Sequence, residues 1–143
     1  MYYRLFKSST GEIEAQLVKS IDGKLCSGDV IIPITVKYEE STTDGTVISK
    51  EYNVSKIATK AFVNCEKLTS VTIPESVTSI GNGAFSNCSG LTSVEFNAKN
   101  CTSMGSDSYP VFSGCTKLTN LTIGENVTNI PSYAFRNRSG LTS

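Results

Sequence analysis

Histidine and tryptophan are absent from all 143 residues. Without histidine the chain lacks the usual general base, the usual proton shuttle and the commonest metal ligand. Without tryptophan it has no indole platform on which a sugar ring could stack. Net charge is absent too: thirteen Lys and Arg balance thirteen Asp and Glu. No long-range field gathers polyanions, so nucleic acid is not expected as a partner. No apolar run approaches the roughly 20 residues of a membrane span, so membrane insertion is not expected. The opening Met1-Tyr2-Tyr3-Arg4-Leu5-Phe6 is too short for a signal-peptide core, and no export signal is read within the chain. The five cysteines (Cys26, Cys65, Cys88, Cys101 and Cys115) are odd in number, widely spaced and without a C-x-x-C pair. That spacing is neither a disulfide framework nor a zinc site. No enzyme, metal or cofactor is expected, and the 38% hydrophobic content predicts one soluble folding unit.

What the sequence does contain is a repeat. Ala61-Phe62, Ala84-Phe85, Val111-Phe112 and Ala134-Phe135 recur at steps of 23, 27 and 23 residues. Six residues after each Phe stands Leu68, Leu91, Leu118 or Leu141, and three residues after the first three stands Cys65, Cys88 or Cys115. Beyond the first three leucines come Val71 with Ile73, Val94 with Phe96, and Leu121 with Ile123. This Leu-x-x-Val-x-Ile pattern predicts a short strand with Ser and Thr on its outer face. Pro74 or Gly124 ends the strand, and the pairs Val77 with Ile80 and Val127 with Ile130 line a return leg. In the longer unit, Cys101 and Met104 are expected in the slots of Val77 and Ile80, with the surplus between Gly105 and Pro110. A unit this short cannot bury its own apolar face, so successive units must stack around a shared core.

Residues 1–56 lack the repeat and are read as a β-rich N-terminal cap; residues 57–143 hold three units and a partial fourth. In the cap, Ile13, Ala15 and Leu17 alternate with Glu12, Glu14 and Gln16, and residues 30–36 are β-rich. Glu39 to Gly45 is expected to be a polar turn or loop. The predicted fold is a leucine-rich-repeat solenoid, mainly β with short helical or 3-10 turns, whose parallel strands stack behind this cap.

The run from Ala61 through Cys65, Leu68, Val71, Ile73 and Pro74 to Ile80 resembles the BspA-type leucine-rich repeat of bacterial and protist surface proteins. Residues 28–33 and 50–57 are similar to lead-in segments of that family. The resemblance implies a non-catalytic surface or secreted interaction module, binding a protein or glycan on a host or neighbouring cell by adhesion. It implies an extracellular or cell-surface location. Arg138 departs from the pattern by standing where earlier units have cysteine.

The candidate binding face is the outer side of the stacked strands: Ser70, Thr72, Ser93, Glu95, Asn120 and Thr122. Glu95 interrupts an otherwise uncharged, mostly hydroxyl row and is the first candidate for recognition. Duplication of soluble, β-compatible residues accounts for the same rows, which leaves open a structural spacer of a larger surface protein. Parallel strands lie about 4.8 Å apart, so three span only on the order of 10 Å and hold far less than the roughly 800 Å² per side of a standard interface. Cys65, Cys88 and Cys115 are expected as buried, reduced thiols, although adjacent coils approach disulfide distance. Asp107 is expected as a solvated loop residue. The last unit leaves the third coil partly uncovered, so the chain is expected either to be a fragment of a longer array or to self-associate through this C-terminal end.

Overall fold

The computed structural model describes residues 2–18 and 27–142. Two parallel ladders run side by side along a coiled chain. The front ladder contains β3 (Ser27–Ile31), β6 (Lys67–Ile73), β8 (Ser93–Phe96) and β10 (Asn120–Ile123), each paired in parallel with the next. The return ladder contains β2 (Ile13–Val18), the end of β5 (Val47–Ile57), β7 (Ser79–Ile80) and β9 (Ser103–Met104). β1 (Tyr2–Lys7) closes the return ladder as an antiparallel partner of β2.

The repeat phase sets what lies inside. In the front ladder Val30, Val71, Val94 and Leu121 stand in one row, and Ile73, Phe96 and Ile123 in another. In the return ladder Leu17, Ile57, Ile80 and Met104 align. Met104 therefore takes the Ile80 slot, and residues 105–110 are the surplus loop, as the spacing predicts. Phe62, Phe85, Phe112 and Phe135 form a continuous stack at the corners, with ring centroids 4.8, 5.3 and 5.5 Å apart.

The expected helical or 3-10 corners take the form of separate turns, and no helix occurs among the described residues. The reason is a division of the backbone donors. The Ala61, Val63 and Cys65 amides bond back three residues within their own coil, while the Lys60, Phe62 and Asn64 amides donate to carbonyls of Asn82, Ala84 and Ser86 in the next. Ala84, Ser86 and Cys88 alternate in the same way with Gly83, Phe85 and Asn87. A continuous helix would take every amide for itself and leave no bonds to hold the coils together. Asn64 and Asn87 sit at the same left-handed corner (φ 63° and 60°), and the Asn87 side-chain Nδ2 donates to Asn64 Oδ1 at 3.1 Å.

The parallel ladders reach upstream of residue 57. β2, β3 and the end of β5 form a coil ahead of the recognisable repeats, and Ala15, Leu17, Val30, Ile32, Val54 and Ile57 belong to the common core. Between β3 and the return strand this coil carries an inserted hairpin. β4 (Thr35–Ser41) pairs antiparallel with the first half of β5, from Thr35 opposite Asn53 to Ser41 opposite Val47. Glu39 and Glu40 are therefore strand residues rather than loop. Their side chains stay exposed, so strand pairing costs them no desolvation. The turn is confined to residues 42–46, where the Asp44 carboxylate accepts the Thr42 hydroxyl and the Thr46 amide. These bonds hold the Asp44 carboxyl down at about 2.

Candidate functional site

Parallel pairing converts the repeat into two outward rows. Asp29, Ser70, Ser93 and Asn120 align in the first, and Thr142 extends it through a bridge to Asn120. Ile31, Thr72, Glu95 and Thr122 align in the second. All six residues predicted from sequence thus lie on one face, in register. Glu95, Asn120 and Thr122 are exposed; Ser70, Thr72 and Ser93 are half-buried between neighbouring rungs.

The rows are connected laterally. The Ser70 and Thr69 hydroxyls donate to Asp29 Oδ1 at 2.7 and 2.8 Å, and the Ser70 bond, then the Thr69 bond, holds the Asp29 carboxyl below the usual range. Thr72 donates to Glu95 Oε2 at 3.3 Å while Asn97 Nδ2 donates to Oε1 at 2.9 Å. Glu95 is therefore oriented by one neighbour on the adjacent strand and one two residues along its own chain. Such support reduces the rotamer entropy a long side chain loses when a partner binds it. The arrangement offers hydrogen-bond acceptors and hydroxyls at a fixed pitch, and among the described residues no group of three or more His, Cys, Asp or Glu is placed to hold a metal ion.

Asp29 and Ile31 head the two rows, and the repeat analysis did not place them there. The inserted hairpin puts roughly 40 residues between them and the strand they pair with. The available signal was Val30-Ile31-Ile32-Pro33, which matches Val71-Thr72-Ile73-Pro74 in phase.

The cysteine ladder differs from expectation at its first rung. Cys65 is disulfide-bonded, and Cys26 lies outside the described residues. Cys88, Cys101 and Cys115 are free and buried. The Cys88 and Cys115 thiols point along the stack, donating to Phe62 O at 3.1 Å and Phe85 O at 3.0 Å. Hydrogen bonding with Cys115, together with burial, pushes the Cys88 thiol far up, and burial pushes Cys101 up to about 11. Thiols held protonated in this way are poor nucleophiles. Asp107 is an exposed loop residue as expected, and Arg136 reaches it from the following unit as a surface ion pair.

The sequence signature of the BspA type leucine rich repeat region matches residues 38–143 in six copies. The chain belongs to this family. Among solved structures, a leucine-rich repeat protein from Bacteroides ovatus is 27% identical with a TM-score of 0.60, covering 94% of this chain and 30% of that one. A leucine rich cell surface protein from Faecalibacterium prausnitzii is 21% identical, covers 88% of this chain and 42% of that one, and has a TM-score of 0.46. The pneumococcal vaccine antigen PcpA is 18% identical, with coverages of 87% and 36% and a TM-score of 0.41. The chain spans less than half the length of each of these structures. No curated protein matches it. The BspA-type repeat explains the Phe stack and the Val-x-Ile rows as products of one duplicated unit.

Proposed function

We propose that this BspA-type chain is a non-catalytic interaction module of a secreted or surface-exposed protein, binding a protein or glycan partner through its front rows by adhesion. The observation that carries the reading is the oriented Glu95, held by Thr72 and Asn97 among the uncharged polar residues of the three repeat strands. Two supports for location are the Cys65 disulfide, which suits an oxidising compartment, and the description of the Faecalibacterium relative as a cell surface protein. The narrow face implies weak single contacts that gain strength by multivalent display, by on the order of 10²–10⁴. Beads displaying the chain, screened against matrix proteins and glycans, should retain a restricted set of ligands. Glu95→Ala should weaken that retention by about tenfold, which corresponds to one well-made polar contact. A flat profile unaffected by Glu95→Ala would favour the spacer reading instead.

For the chain as given, we propose a second contact at the last coil, self-association through a face that a further repeat of a longer array would equally cover. Ile73, Phe96 and Ile80 are fully buried, whereas their counterparts Ile123 and Ile130 are 37% and 43% exposed. Arg138 lies at the Cys115 corner of the same coil, donating from Nη1 to Cys115 O at 3.2 Å, and its Nε is buried without a partner among the described residues. Sedimentation of the 143-residue chain should show association that rises with concentration. Ile123→Glu combined with Ile130→Glu should abolish it; a wild-type chain that stays monomeric at high concentration rules this contact out.

A further inference from the structure

A groove of about 390 Å³ runs along the rim where the front strands end. Its chemistry changes from one end to the other. At the inserted hairpin stand Ile31 and Ile34, 72% and 50% exposed, beside Pro33. Ile31 is the most exposed large hydrophobic side chain among the described residues, and its row is polar in every other coil, at Thr72, Glu95 and Thr122. Two exposed aliphatic residues that converge on one concavity differ from single exposed ones, which need no explanation.

Beyond the hairpin the groove turns acidic, at Glu75 in the adjacent coil and at Glu125 at the far end. Glu75 and Glu125 line the groove and no Lys or Arg does. Lys99 binds Glu75 from outside the lining at 2.6 Å. Glu125 is exposed and makes no ion pair or side-chain hydrogen bond with another described residue, so its charge faces the groove unneutralised. The lining contains no aromatic ring on which a sugar could stack, and its carboxylates repel anions.

From the coil of Ile31 to that of Gly124 there are three strand spacings, about 14 Å at roughly 4.8 Å each. An extended peptide rises about 3.4 Å per residue, so it covers that length in about four residues. Residues four apart on an extended chain also point to the same side.

We propose that this groove docks an extended polypeptide segment of a partner, with an aliphatic side chain between Ile31 and Ile34 and a Lys or Arg four residues away beside Glu125. The proposal deepens the interaction-module reading by making the partner at this site a basic, apolar peptide rather than a glycan.

The test is an NMR titration of the full isotope-labelled chain with a synthetic nonapeptide. The probe carries leucine and arginine four residues apart in a serine and threonine background. Saturable shifts are expected at residues 31–34 and 124–126. Ile31→Ser and Glu125→Gln should each weaken binding by about tenfold, and so should glutamate in place of the peptide's arginine. Both substituted side chains are solvent-exposed, and unchanged resonances at Phe85 and Val94 verify the fold. Equal affinity for the glutamate peptide, or shifts confined to Ser93 and Asn120, overturns the groove while leaving the front rows as a binding face. Shifts that follow protein concentration without peptide assign the groove to a second copy and also overturn the proposal. If neither the peptides nor the ligand screen gives binding, the module reading fails together with the groove.

Discussion

Replacing Phe85 by alanine should lower the free energy of unfolding by about 3–5 kcal/mol. Phe85 is fully buried and lies between Phe62 and Phe112, with interplanar angles of 8° and 17°. Truncation removes a large apolar side chain and two ring contacts worth roughly 0.5–1.5 kcal/mol each. The position in the stack adds to the effect. Solenoid stability is close to a sum of coil and nearest-neighbour contributions, so a defect in a middle coil weakens the interfaces on both its sides. Urea melts should therefore show a lower midpoint together with a broader transition. Thr72→Ala serves as the reference: its hydroxyl makes one long bond on the outer face, and the change should cost under about 0.5 kcal/mol. An equal or larger loss for Thr72→Ala would falsify the inward phase assigned to the repeat.

Gly81→Ala should be about as damaging, for a reason unrelated to apolar burial. Gly81 donates its amide to Ile57 O at 2.8 Å, which brings its Cα against the backbone of the preceding coil. A Cβ there would stand 2.7 Å from Thr59 Cα and 2.8 Å from the Ala58 carbonyl carbon, and closer still to the Thr59 nitrogen. Backbone atoms cannot swing aside as a side chain does, so the two coils must separate. The expected cost is roughly 3 kcal/mol, at the upper end of overpacking effects. Gly45→Ala, in the hairpin turn with open space around it, is the matched control. Gly45 has φ +85°, so that change strains only its own turn, by about 1–2 kcal/mol. Hydrogen exchange should place the Gly81→Ala disturbance at residues 57–62 as well as locally. Wild-type protection at residues 57–62 would show that the coils absorb the methyl group.

The requirement at Gly81 was not legible in the sequence. Its row reads Ala58, Gly81, Gly105 and Pro131, so no single residue type marks it. By contrast, the Phe, Leu and Val-x-Ile positions repeat with one phase, and that phase alone placed Phe85, Leu91, Val94 and Phe96 in the core, where all four are fully buried. The same phase put Ser70, Thr72, Ser93, Glu95, Asn120 and Thr122 on one face, since side chains alternate along a strand whatever lies beside it. What binds to that face does not follow from the phase.

By itself, then, the amino-acid order determined the coil and its inside and outside, because both depend on residues within about one unit of each other. Tertiary packing decided which distant segments pair. β2 joins β5 and β3 joins β6 across intervals longer than a repeat, and the inserted hairpin hides their common phase. It also decided that Cys65 is bonded while Cys88 and Cys115 stay free in the same slot. Glu95 gained its bond from Thr72, and Ile31 and Ile34 converged with Glu125, in the same way. Each of these depends on distances between coils, and adjacent coils are fixed by backbone bonds and core packing across the stack rather than by neighbours along the chain.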